Sequence, residues 1–281
     1  MNMKTIENET FDTERALYES HGLMVKNCCF DGPADGESPL KESSDIEVED
    51  CLFQLRYPFW HDRNLRIRNT QMTDLCRAAI WYSTGVKVED TKMHGIKALR
   101  ECSDVSIRNC DIISPEFGWS VQDIKMENTA VISEYFMMRS KNLSFTEVTL
   151  TGKYSFQYRE DAVFEGCVLD TKDAFWHAKN VTIRNSIIRG EYLAWYSQDL
   201  TLDNCRIIGT QPFCYCRGLK LIDCEMTDAD LCFEKSEVEA DITTEVLSIK
   251  NPISGRIQVP KVGEIIRDDA ESKCEIVVGK Q

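Results

Sequence analysis

The chain has 281 residues, 47 of them Asp or Glu against 33 Lys or Arg, for a formal charge of −14. That balance excludes a nucleic-acid backbone binder and a partner for anionic membranes, since both need clustered Lys and Arg. No run approaches the roughly 18 apolar residues of a spanning helix, and the N-terminus lacks an apolar signal core. The expectation is a soluble, cytoplasmic chain whose thirteen Cys stay reduced.

One short string recurs along the chain. It reads Leu65-Arg-Ile-Arg-Asn69-Thr-Gln-Met, then Val105-Ser-Ile-Arg-Asn109-Cys-Asp-Ile, Val181-Thr-Ile-Arg-Asn185-Ser-Ile-Ile and Leu200-Thr-Leu-Asp-Asn204-Cys-Arg-Ile. With the Asn as anchor, the series runs Asn8, Asn27, Asp50, Asn69, Asp90, Asn109, Asn128, Glu147, Gly166, Asn185, Asn204, Asp223. The steps are 19, 23, 19 and 21, followed by seven of 19. The two longer steps place insertions at Gly32 to Pro39 and near Leu75 to Arg77.

Apolar residues stand at anchor −4 and −2, as in Leu65/Ile67 and Val86/Val88. This is the alternation of a half-buried strand, not a helical period. Positions +1 and +3 are small and apolar, giving a second short strand. A third centres on −10, with Phe59, Ile80, Leu99, Met137, Phe156, Phe175 and Phe213. Three strands in 19 residues leave no room for a helix. The fold class is therefore all-β: a right-handed parallel β-helix of about twelve coils, one per repeat. The anchor types tolerate a left-handed backbone, which a turn between two strands selects. Glu147 is the exception in that column. After Asp223 the pattern fades into four runs, Val246–Lys250, Gly255–Val259, Gly263–Arg267 and Cys274–Val278. The chain reads as a single domain, with coils over 1–242 and a C-terminal β cap over 243–281.

Six Cys occupy anchor +1 (Cys28, Cys51, Cys110, Cys167, Cys205 and Cys224), a column otherwise filled by Thr, Ser and Val. Buried Cys acts there as a small hydrophobe. Cys214-x-Cys216 with Cys232 lacks the paired spacing of a structural zinc site. No metal and no cofactor are expected.

All five Trp fall at −9: Trp60, Trp81, Trp119, Trp176 and Trp195. Arg100 and Gln157 share that column, while −10 has no polar member. Burying an unpartnered Arg is costly, so −10 is assigned inward and −9 outward. Beside the Trp column, at −8, stand His61, Tyr82, Glu101, Arg139, Tyr158, His177, Tyr196 and Tyr215. At −12 stand Tyr57, Lys97, Glu116, Tyr135, Tyr154, Asp173 and Tyr192. An exposed aromatic patch of this size marks binding, and Trp and Tyr rings suit amphipathic sugar rings. Packing of the rings on one another is the competing reading.

Longer stretches carry a resemblance. They include Arg56-Tyr-Pro-Phe-Trp-His-Asp62, Gly95-Ile-Lys-Ala-Leu-Arg-Glu101, Ser114-Pro-Glu-Phe-Gly-Trp119 and Asp170-Thr-Lys-Asp-Ala-Phe-Trp176, together with Phe30 to Glu37. On these, the whole chain resembles a bacterial family of β-helix proteins with no assigned function, similar in architecture to the pectin-lyase-like superfamily. The resemblance implies the fold and brings no catalytic residues. Carbohydrate chemistry enters only by fold analogy.

Three functional readings stay open. The first is binding of an oligosaccharide or other extended ligand through Trp60, Trp81, Arg100, Trp119, Trp176, Trp195 and Tyr196. The second is a polysaccharide lyase or glycosidase, with Glu101, Glu116, Asp173 and His177 as candidate acids and bases. The third is a structural or interaction scaffold, for which a homo-oligomer buries the Trp column.

Overall fold

The structure, a computed structural model, describes residues 3–32 and 37–279. It is a parallel β-solenoid of about 14 turns of about 19 residues, with no helix among the described residues. The expected insertion at Gly32 to Pro39, and the resembling stretch Phe30 to Glu37, fall in part on residues 33–36, outside the described residues. Two compact units divide the chain, residues 1–143 and 144–281.

In the first unit, strands Ser44–Glu49, Arg63–Arg68, Thr84–Glu89, Ser103–Arg108 and Gln122–Glu127 stack in parallel, each one repeat after the last. The register is that of the anchors: Ile46, Leu65, Val86, Val105 and Ile124 lie side by side. All five point inward and are buried. Their outward neighbours alternate in charge, so that Glu49 meets Arg68 and Glu89 meets Arg108. In-register stacking would otherwise set like charges together.

The chain then turns at the anchor. Every anchor has positive φ, from Asn8 at 59° to Asp223 at 48°, and Glu147 adopts it too at 53°. The Asn side chains bond along the column: Asn69 Nδ2 donates to Asp50 Oδ1 at 2.6 Å, and Asn109 Nδ2 to Asp90 Oδ1 at 3.0 Å. A second left-handed column lies five residues before the anchor, as Gly22, Asp45, Asn64, Gly85 and Asp104. It is built the same way, Asn64 Nδ2 donating to Asp45 Oδ1 at 2.8 Å. Sequence reasoning missed it, although only Gly, Asp and Asn occupy it.

Position +1 does more than pack. The carbonyl before the anchor accepts from the anchor N–H of the neighbouring coil, as Arg68 O does from Asp50 N, but the turn leaves the N–H after the anchor without a backbone partner. The +1 side chain of the next coil accepts from that N–H and gives its own coil's carbonyl a second donor. Thr70 Oγ1 donates to Arg68 O at 2.9 Å and accepts from Cys51 N at 3.3 Å. Cys110 Sγ lies 3.2 Å from Arg108 O. The Cys in this column therefore stand in for Thr and Ser as well as for small hydrophobes. All thirteen Cys are free thiols. Burial pushes the Cys51 thiol up to about 12, far from reactive thiolate.

Behind these columns sits the core. Phe11, Phe30 and Phe53 stack at 5.0 and 4.5 Å. The third strand expected at −10 is present in this unit as Phe59–Trp60, Ile80–Trp81 and Leu99–Arg100.

The second unit repeats the first two strands. Glu160–Glu165, Lys179–Arg184 and Gln198–Asp203 form one ladder, and Val168–Lys172, Ile187–Arg189 and Arg206–Ile208 the other. The third strand does not form at residues 173–177, 192–196 or 211–215, and it returns only in the tail, where Ile249 bridges to Cys232. Residues 173–177, 192–196 and 211–215 are turns, in which alternate residues are left-handed, as with Asp173, Phe175 and His177 at 53°, 60° and 53°. Their N–H groups point alternately to the next coil and the previous one: His177 N donates to Trp195 O, and Phe175 N to Ser155 O. The four runs of the tail appear as Val246–Lys250, Ser254–Val259, Val262–Ile266 and Glu275–Val278. They pair in parallel, the first with the third and the second with the fourth. The coil thus runs about two turns beyond the twelve expected.

Candidate functional site

The rings are placed by parity. Position −10 is buried from Leu40 onward, as with Phe59, Ile80, Phe156 and Phe175. The Trp at −9 are half-buried, and His61, Tyr82, Tyr158, His177 and Tyr196 at −8 are exposed.

Each indole lies against the next coil and is pinned there. Trp60 Nε1 donates to Ala78 O at 2.7 Å, Trp81 Nε1 to Lys97 O at 2.7 Å and Trp119 Nε1 to Tyr135 O at 3.1 Å. In the second unit, Trp176 Nε1 donates to Tyr192 O at 2.7 Å and Trp195 Nε1 to Gln211 O at 2.8 Å. The acceptor is always the −12 carbonyl of the following coil. Gln157 shows the rule without a ring, its Nε2 donating to Asp173 O at 2.8 Å.

In-register coils also stack the rings face to face. Trp60 and Trp81 are 5.0 Å apart and 3° from parallel; Trp176 and Trp195 are 5.4 Å apart at 5°. Arg100 continues the first stack, its Cζ 5.1 Å from the Trp81 ring and 5.4 Å from Trp119. A guanidinium between two indoles is a favourable cation–π arrangement. These Trp faces are consequently turned to each other, and the column offers its rims outward.

The −8 column of the second unit is a four-ring stack, exposed at Tyr158, His177 and Tyr196 and half-buried at Tyr215. Tyr158 and His177 are 4.9 Å apart, His177 and Tyr196 5.0 Å, and Tyr196 and Tyr215 4.7 Å. Tyr158 is 52% exposed and Tyr196 43%. All four residues have positive φ, 53° to 61°. Bulky side chains seldom accept that backbone, but the coil imposes it here, as it does on Glu101, Arg139 and the buried Phe156 and Phe175. The three Tyr hydroxyls make no hydrogen bond within the described residues. In the first unit, His61 and Tyr82 stack at 4.9 Å, and the column passes to Glu101 and Arg139.

The candidate acids are dispersed. Glu101 Oε1 lies 3.1 Å from Arg100 Nε, and Glu116 Oε2 3.6 Å from Lys97 Nζ. Asp173 is buried, and desolvation raises its carboxyl above the usual range, an effect opposed by Lys172. His177 is held between two Tyr rings. Among the described residues, no group of three or more His, Cys, Asp or Glu is placed to hold a metal ion. Nor, among them, is any helix long and apolar enough to cross a membrane. Two charged groups escaped sequence reasoning: Asp62 and Arg159 stand at −7, a column of small inward side chains, and both are buried. The signal was there, since Ser43, Ser83, Ser140 and Ser197 surround them in that column.

Several solved structures are similar to this chain. The A-module of the Azotobacter vinelandii mannuronan C-5 epimerase AlgE6 is 9% identical with a TM-score of 0.48, covering 99% of this chain and 91% of that one. The tailspike protein of E. coli bacteriophage HK620, in complex with a pentasaccharide, is 8% identical with a TM-score of 0.45, covering 98% and 72%. PfbA, a surface adhesin of Streptococcus pneumoniae, is 10% identical with a TM-score of 0.44, covering 85% and 84%. No curated protein matches the sequence. A family model matches residues 4–278, and the chain belongs to that family, DUF3737, described as a protein of unknown function.

Proposed function

We propose that the protein binds an extended, hydroxyl-rich ligand, an oligosaccharide, along the exposed ring column of residues 144–281. The observation that carries this reading is the stack of Tyr158, His177, Tyr196 and Tyr215, one ring per coil at 4.7 to 5.0 Å. Stacked faces leave no room for a sugar between them. What remains outward is a row of ring rims with three unengaged hydroxyls and an imidazole. A row of hydrogen-bonding groups at one-coil intervals suits a ligand that itself repeats. Trp176 and Trp195 flank the row as a rigid, pinned floor, which keeps the ordering cost of binding low. In the first unit the same role falls to Trp60, Trp81, Arg100 and Trp119, with His61 and Tyr82 outermost.

A hydrolytic reading would rest on Asp173. The acid acting on it, Glu191, is itself engaged by Lys172 at 3.3 Å, and glycoside hydrolysis needs two carboxylates about one bond. Binding is therefore the better-supported function.

An oligosaccharide screen followed by calorimetric titration tests it. Tyr196→Phe keeps the ring and removes the hydroxyl. Affinity should fall about tenfold, the worth of one hydrogen bond, with the unfolding midpoint unmoved. Absence of any binding oligosaccharide, or equal affinity in the variant, would overturn the reading.

A further inference from the structure

Arg159 stands where the coil has no evident use for a charge. Its column continues in the second unit as Ala178, Ser197, Cys216 and Ser236, all small and buried. Arg159 itself is 1% exposed. Its Nε, Nη1 and Nη2 have no hydrogen-bond partner among the described residues. The guanidinium carbon lies 5.6 Å from the Phe164 ring and 5.9 Å from Phe175. Both rings belong to inward columns, so the charge sits within the core. Asp161, two residues on, is exposed and accepts from Asn180 Nδ2 at 2.5 Å instead.

A bare charge in such a place is strongly unfavourable, and buried charges are paired as a rule. Two aromatic contacts recover a small part of that cost. Burial lowers the Arg159 pKa to about 9, which leaves it protonated at neutral pH. The neighbouring columns are thinned around it. Ala162 stands where Val181 and Leu200 stand in later coils, and Ser155 and Ala174 where Leu193 does. Its own coil is thus small at Ser155 and Ala162 and the next at Ala174, while Phe164 and Phe175 supply the rings beside the guanidinium.

We propose that Arg159 binds a small monovalent anion of chloride size within the second unit, the guanidinium donating its N–H groups to it. One unit charge neutralises one guanidinium, whereas a divalent oxyanion would leave a net buried charge and demand more room. A weakly hydrated halide is also the least costly anion to desolvate. The ion would act as a structural ligand, independent of the exposed ring column.

The test is thermal unfolding of the full chain in sodium chloride against sodium gluconate at matched ionic strength, for wild type and Arg159→Met. The wild-type midpoint should rise with chloride, by about 5 °C over a hundredfold increase above the dissociation constant. Arg159→Met should show equal midpoints in the two salts. Should that variant not fold, the anomalous signal of a bromide-soaked wild-type crystal decides, a peak beside the guanidinium supporting the site. Equal wild-type behaviour in chloride and gluconate, an undiminished chloride effect in Arg159→Met, or no bromide peak would overturn the proposal.

Discussion

Raising the pH from 4 to 7 should shift stability in favour of Asp62→Ser over wild type by about 4 kcal/mol. Asp62 is wholly buried, at 0% exposure. Its Oδ1 accepts from Ser43 N at 2.9 Å, and its own N–H donates to Ser83 Oγ at 3.0 Å. Its Oδ2 has no partner among the described residues. Burial raises the carboxyl to about 8, against the Ser43 hydrogen bond and with a small push from Glu42. The folded carboxyl therefore keeps its proton to about pH 8, while the unfolded one loses it near 3.9. Across that window the folded state binds the extra proton. Stability contributed at this site is full below about pH 4, declines as pH rises towards 8, and is level above it. Ser provides the same acceptor to Ser43 N without an ionisable group, as Ser83 does for Asp62. Urea denaturation at pH 5, 7 and 9 should show the gap between Asp62→Ser and wild type widening with pH. A constant gap would mean that the carboxyl is not held protonated.

Trp81→Ala should cost about 3 kcal/mol, the lower end for loss of a large aromatic because the ring is half-buried. Three contacts go at once. The ring stacks on Trp60 at 5.0 Å, carries Arg100 at 5.1 Å on its other side, and donates to Lys97 O at 2.7 Å. Each contact joins adjacent coils. Trp81→Gln should recover part of the loss, because Gln157 makes the equivalent bond with its amide. Trp81→Phe should recover a different part, the stack without the bond. Denaturant midpoints order the three variants. If Trp81→Ala lay within about 0.5 kcal/mol of wild type, as a plain surface substitution does, the indole would not be joining coils.

The repeat was legible because few residue types tolerate its turn. Asn69, Asn109 and Gly166 announce a left-handed position that most side chains refuse. The inward face at −10 was legible as well, but the −9 column, read as outward, is half-buried at its Trp, and Gln157 is buried with its amide bonded to Asp173 O. The tail was harder. Glu237 pairs with Ser254 and Arg256 with Glu275, steps of 17 and 19 residues, and the left-handed Asn251 between the strands stands off the series of anchors, so the periodic signal fades there. The loss of the third strand at residues 154–158 was not readable, because Tyr154, Phe156 and Tyr158 are good strand formers that the tertiary fold forces into left-handed turns. Nor does sequence reveal that Trp176 and Trp195 turn their faces to each other. The identity of the column is written in the residues, but the stacking comes from coil spacing close to ring-stacking distance. Tyr158 and Tyr215 were visible beside the Trp column, yet only the structure shows that they and Tyr196 hold the free hydroxyls.

Two columns with separate tasks are the centre of this account: indoles at −9 that bind coil to coil, and rings at −8 that face a ligand. The most direct measurement is calorimetric titration of oligosaccharides into wild type and into a variant with Tyr158, Tyr196 and Tyr215 all changed to Phe. The account predicts binding by the wild type, none by the variant at the same concentrations, and equal unfolding midpoints. Binding of equal strength in both, or binding in neither, would contradict it.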